Sequence, residues 1–154
     1  TSFMMALTTF VSQNRGAKEY KRARKGAHFG LVCSVSLAET IGLLIALFAT
    51  PLMRLFVDDL KVIQYGVERA HYATILFFLL AYSHGVSAVL RGVGKSVIPM
   101  VVMLVCWCLV RVTLLTMLNM LFHNIVFVYL VYPFTWSLSS IVFFLYYRKI
   151  NWKE

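Results

Sequence analysis

Apolar residues run in stretches of about 20, and the charged residues fall in short clusters between them. That is the length a helix needs to cross roughly 30 Å of hydrocarbon. The pattern predicts spans over residues 27–50, 71–90, 99–122 and 125–147, with residues 1–14 reading as the last part of an earlier one. That first stretch has no basic segment before it and no cleavage pattern, so it does not read as a signal peptide. The chain is expected to be a fragment. The fold class is therefore all-α and integral to the membrane, a polytopic bundle of four full transmembrane helices preceded by a partial one.

Within the first full span, small residues recur at every fourth position: Gly26, Gly30, Ser34, Ala38, Gly42 and Ala46. Neighbours four apart lie on adjacent helical turns, so the row predicts a shallow groove where another helix approaches closely. Ala81, Gly85, Ala88 and Gly92 give the next span a similar face. Between the two, residues 51–65 read as a short loop with an amphipathic turn at the membrane surface. Pro133 near the middle of the last span removes a backbone hydrogen bond and predicts a kink, with Thr135 or Ser137 available to the freed carbonyl. His123 and Asn124 read as a minimal turn between the last two spans.

Charge then sets the orientation. Arg15, Lys18, Lys21, Arg22, Arg24 and Lys25 crowd one loop, Arg91 and Lys95 a second, and Arg148, Lys149 and Lys153 the tail. These are eleven of the fifteen Lys and Arg, and by alternation all three segments share one side. Positive loops resist translocation, so residues 15–26, residues 91–98 and the tail 148–154 are expected in the cytoplasm. A plasma membrane is implied, most simply a bacterial inner membrane. The net charge of +9 is thus explained by topology and by attraction to anionic lipid heads. It gives no nucleic-acid footprint, because the aromatic residues lie in the spans and not among the charges.

Several motifs carry no chemistry. Gly94-Lys95-Ser96 lacks the earlier glycine of a phosphate-binding loop, since Val89 stands there, and a membrane span precedes it. Asp58 and Asp59 are adjacent and lack the spacing of a calcium loop. Cys33, Cys106 and Cys108 lie in apolar runs without zinc-like spacing and read as small packing residues. No HExxH, nucleophile elbow or intramembrane carboxylate pair is present, so the chain does not read as an enzyme.

Three ionisable residues inside spans remain as candidates. An Arg or Asp at mid-membrane costs on the order of 3 kcal/mol on insertion scales, so each invites a functional reading. Glu39 lies 12 residues past Ala27 and Arg111 lies 12 past Pro99, which puts both roughly 18 Å deep from the same side. Equal depth permits an ion pair or a shared polar network, which would first of all hold the bundle together; a direct role in moving a proton, cation or substrate is the other reading. His84, with Tyr82 and Ser83 beside it, can titrate near neutral pH and could handle protons or simply pack.

Three stretches also carry a family resemblance. Gln13-Asn14-Arg15-Gly16-Ala17, followed by Arg22-Ala23, resembles a helix-end element of multidrug and toxic compound extrusion (MATE) transporters, with Ser12 and Lys18 where that family more often has glycine. Arg91-Gly92-Val93-Gly94-Lys95 before Pro99 is similar to the family's turn between its tenth and eleventh helices, and Trp107 with Arg111 resembles its eleventh helix. The resemblance runs from the end of the eighth helix through the twelfth, which is the end of the C-terminal lobe of a twelve-helix transporter. It implies a multidrug efflux antiporter driven by H+ or Na+, with no other cofactor. Its expected partners are membrane lipids, the N-terminal lobe of the same protein, and amphipathic cationic small molecules as substrates. Without that lobe the chain is expected to be transport-incompetent. A lipid-linked sugar or polysaccharide flippase and a small non-transporting membrane subunit remain as alternatives.

Overall fold

The computed structural model describes residues 2–122 and 125–152, apart from the side chains of residues 122 and 125–127. Thr1, Lys153 and the expected turn at His123 and Asn124 lie outside the described residues. Every regular element described is helical: α1 (Ser2–Gly16), α2 (Tyr20–Leu47), α3 (Ala49–Arg54), α4 (Leu60–Thr74), α5 (Phe77–Gly92), α6 (Val97–Met103), α7 (Arg111–Phe122) and α8 (Ile125–Arg148). A π-helical stretch, Leu104–Val110, joins α6 to α7 without a break in the rod. Among the described residues three rods are long and apolar enough to cross a membrane: Tyr20–Leu47, Val97–Leu121 and Val128–Arg148. A fourth crossing is available if α4 and α5, bent by 56° at their junction, act as one. The chain is an integral membrane protein with an all-α bundle.

At 28 residues α2 is about 42 Å long, more than the hydrocarbon core requires. The excess is at its start. The first basic cluster is therefore largely helical, with Lys21, Arg22, Arg24 and Lys25 on the opening turns of α2 and only residues 17–19 left as a connection. We call this the basic end of the bundle, because the starts of α2 and α6 and the ends of α1, α5 and α8 gather there.

The segment expected to be a short loop is mostly helix. Asp59 caps α4, its Oδ1 accepting the backbone N–H of Lys61 at 2.8 Å and of Val62 at 3.5 Å. Such a cap offsets two of the orphan donors at a helix start. Lys61, Gln64, Glu68 and Arg69 interrupt the apolar run and conceal this helix from a reading based on span length. Its buried face holds Ile63 and Thr74. At the bend, the Thr74 hydroxyl donates to Ala70 O at 2.7 Å and reaches Gly42 O at 3.4 Å. Back-bonding of this kind bends helices, and here it also fastens the bend to α2.

The small-residue row on α2 is a packing seam. A Cβ on Gly26 would meet the Phe10 ring, one on Gly30 the Leu7 methyls, and one on Gly42 would touch Thr74 and Phe77. One row thus seats α1 near the basic end and the α4–α5 bend farther along. α5 is the hub, buried from Gly85 through Leu90 and packed on α1, α2 and α8. Helix α8 runs on through Pro133. The Ser137 hydroxyl donates to Pro133 O and the Thr135 hydroxyl to Tyr132 O, so neither serves the carbonyl of Tyr129 that the proline leaves free.

Candidate functional site

The two sequence motifs meet at the basic end. Helices α1 and α5 both close with the same turn. Glu19 N–H donates to Asn14 O and Lys18 N–H to Arg15 O, matched by Lys95 N–H to Leu90 O and Gly94 N–H to Arg91 O. This arrangement needs one residue in the left-handed region. Gly94 takes it at φ +83 and Lys18 at φ 60. The two ends are then clasped: an Arg15 Nη1–H donates to Val93 O, and the Thr8 hydroxyl to Ala88 O at 3.1 Å. Gly92 lets the backbones close, because a Cβ there would stand 2.8 Å from Thr8 O. Asn14 bonds back to Phe10 O, while Gln13, Gly16 and Ala17 are exposed and Arg91 lies on the surface of α5. Of the motif residues, Arg15, Gly92, Val93 and Gly94 therefore build a helix junction.

The mid-membrane site lies where the π-helical stretch passes α5 and α8. The wider π turn is often found at functional positions, and here it presents Trp107 and, one residue past its end, Arg111. The Arg111 Nε and Nη2 both donate to Thr135 Oγ1, at 3.2 and 2.8 Å. Its guanidinium also lies 5.1 Å from the Trp107 ring and 4.7 Å from the Tyr132 ring. The His84 ring stands edge-on to Trp107 at 5.1 Å. Trp107 Nε1–H in turn donates to Ser139 Oγ at 3.3 Å, and the Ser83 hydroxyl sits 3.1 and 2.9 Å from those of Ser139 and Ser140. A chain of polar contacts thus links α5, the π stretch and α8 through otherwise apolar packing.

Of the three candidates, His84 and Arg111 are brought together, each against one ring of Trp107. Glu39 is not. The Glu39–Arg111 pair anticipated from equal depth does not form, because Thr135 and the two rings occupy the guanidinium. Depth specifies height in the membrane and says nothing of direction around the helix axis. Glu39 is half-buried on α2, and its Oε2 is sealed from solvent with no hydrogen-bond partner.

His84 also opens onto a cavity of about 580 Å³ between α1, α2 and α5, with Met4, Ser34, Phe77, Arg91 and Met103 among its walls. A drug-sized ligand needs roughly 300–1,000 Å³. A guanidinium stays protonated at any physiological pH, so Arg111 is a fixed charge.

Tyr132, Thr135 and the serine cluster were not candidates in the sequence. A faint signal was there. Tyr132, Thr135, Trp136, Ser139 and Ser140 recur at helical spacing on one face of an apolar helix, which marks a polar stripe turned inward.

Residues 1–117 match the MatE family. A probable multidrug resistance protein, NorM of Thermotoga maritima, is similar to the chain, with 28% identity over 98 residues. The match covers 64% of the chain and 21% of that relative, so the chain spans about a fifth of the relative's length.

Proposed function

This chain belongs to the MatE family, whose members are transporters, and from that premise we propose that the protein carrying it is a secondary active multidrug exporter. Inward flow of H+ or Na+ drives outward movement of amphipathic cations. The observation that supports this reading is the cavity beside the α4–α5 bend. It has the size of a small-molecule pocket, and its walls mix Met, Phe and Ser with one titratable ring, His84. Methionine and aromatic side chains adapt to ligands of different shape, which suits a carrier of several substrates. A second lobe completes the cavity wall.

Glu39 takes the coupling cation in this scheme. Its unpartnered carboxylate oxygen is costly in a low-dielectric setting, and a proton or Na+ relieves that cost. His84 answers to pH from the cavity side, and Arg111 holds Trp107 in place against it. In this reading the membrane is a bacterial inner membrane, the basic end faces the cytoplasm, and the C-terminus lies inside with it; the excess of Lys and Arg at that end supports the orientation.

Proteoliposomes containing the protein should move ethidium only when a pH or Na+ gradient is imposed. Glu39→Gln should remove most of that gradient-driven rate while leaving ethidium binding in place. Failure of any gradient to drive an amphipathic cation would sink the proposal.

A second reading, export of a lipid-linked phosphate sugar, draws on Arg69. Its guanidinium lies 5.3 Å from the Tyr132 ring that Arg111 also faces. Two guanidinium groups at one ring would suit an anionic headgroup. Translocation of a fluorescent polyprenyl phosphate in the same vesicles, with ethidium unmoved, would select it.

A further inference from the structure

Helices α2 and α8 both pack on α5 but scarcely touch each other. The gap between them is continuous from the basic end to mid-membrane. It starts as a recess of about 670 Å³ walled by Lys21, Arg24, Lys25 and His28 of α2 and by Tyr147 of α8. It continues, past shared walls at Val32 and Tyr147, into a cavity of about 330 Å³. From there it passes Val35, Tyr82 and Phe144 into one of about 440 Å³ that ends at Ile141 and Ser137.

We infer that this gap is a binding groove for one anionic phospholipid of the leaflet at the basic end, with its phosphate among Lys21, Arg24, Lys25 and His28 and its acyl chain along the α2–α8 trough. Three features carry the assignment. The four side chains occupy positions i, i+3, i+4 and i+7 of one helix, so they share one face. Among the described residues none of the walls of the recess is acidic, so Lys21, Arg24 and Lys25 meet no carboxylate within it. Basic pockets between spans at the cytoplasmic side are the usual seat of anionic headgroups.

The dimensions agree with a lipid as well. From Tyr147 to Ser137 is ten residues of α8, about 15 Å, which is half of a roughly 30 Å hydrocarbon core. One leaflet's acyl chain fills that depth. The trough is apolar along this length, and its polar end lies at the recess. Arg148 adds a further cation on α8, its guanidinium 5.7 Å from the ring of Phe144, a wall of the trough. A lipid seated here would fasten α2 to α8, which the protein itself leaves unjoined.

The test is native mass spectrometry of the delipidated protein in detergent, titrated with phosphatidylglycerol or with phosphatidylcholine of the same acyl chains. Phosphatidylglycerol should bind with one tight site, at least about tenfold tighter than phosphatidylcholine. Replacing Lys21, Arg24 and Lys25 by Gln should erase that preference. The same change at Lys18, Arg22 and Lys95, exposed cations outside the recess, should alter it less than about twofold. Val35→Trp, which blocks the trough, should release both lipids; Ile141→Trp on the exposed face of α8 serves if that variant does not fold. Equal loss from the two Gln triples would mean diffuse charge only and overturn the site. So would an absence of phosphatidylglycerol preference. Retention of lipid with the trough blocked would also overturn it. Destabilisation by Val35→Trp with no lipid bound to the wild-type protein would assign the trough to another helix.

Discussion

The junction of α1 with α5 and the contact of α7 with α8 each use an arginine, but only the first depends on a close approach of two backbones. At the basic end, Gly92 brings two backbones together and the contact depends on an absent Cβ. At mid-membrane, Arg111 and Thr135 join helices through charge-assisted hydrogen bonds and stacked rings. In lipid there is little hydrophobic drive between helices, so association rests either on close fit or on polar bonds. Where the chain must turn, close fit at Gly92 lets the Arg15 and Thr8 side chains reach backbone carbonyls across the junction; where the helices pass each other, side-chain bonds and stacked rings make the contact without a close backbone approach. A close fit is intolerant of any added atom, whereas the polar contact loses strength in steps.

The largest effect should come from the close fit. Gly92→Ala places a methyl against Thr8 O, which cannot rotate away as a side chain does. It should lower stability by about 2–3 kcal/mol in mixed-micelle unfolding. Gly85→Ala is the internal contrast, because its nearest atom is a Leu31 methyl that can move. Equal losses for the two variants would remove the distinction.

Next is the polar contact. Thr135→Val takes away the acceptor of both Arg111 bonds and should cost about 1–2 kcal/mol. Combined with Arg111→Gln, it should be clearly non-additive. Glu39→Gln combined with Arg111→Gln should instead add to within about 0.5 kcal/mol, because the two share no contact. Coupling of Glu39 to Arg111 in that cycle would contradict the arrangement described here.

The smallest effect distinguishes the two matching turns. Gly94 adopts positive φ without strain, while Lys18 carries a Cβ into the same region. Lys18→Gly should therefore stabilise the protein by about 0.5 kcal/mol, the relief of strain outweighing the added freedom of the unfolded chain. A lower thermal midpoint for that variant would show that Lys18 makes a compensating contact.

Much of this architecture was legible in the residues. The apolar runs gave the bundle, and the fourfold spacing of Gly26, Gly30 and Gly42 located a seam that does seat other helices. Arg91 to Pro99 read as a tight turn, and Gly94 adopts the conformation that turn needs. Helix α4 was hidden by its own amphipathicity, since it buries only one face and never shows a long apolar window. The partner of Arg111 was hidden for another reason: Thr135 is 24 residues away on another helix.

By itself the sequence determined what is local. Periodicity, turn chemistry and the placement of charge fix the long apolar helices and which ends gather together, and leave the amphipathic α4 unannounced. Tertiary structure decided direction. It turned Arg111 to Thr135 and away from Glu39, set His84 against Trp107, and left α2 and α8 apart over α5. Those outcomes depend on how each helix is rotated about its axis, and only the packing of neighbours determines that rotation.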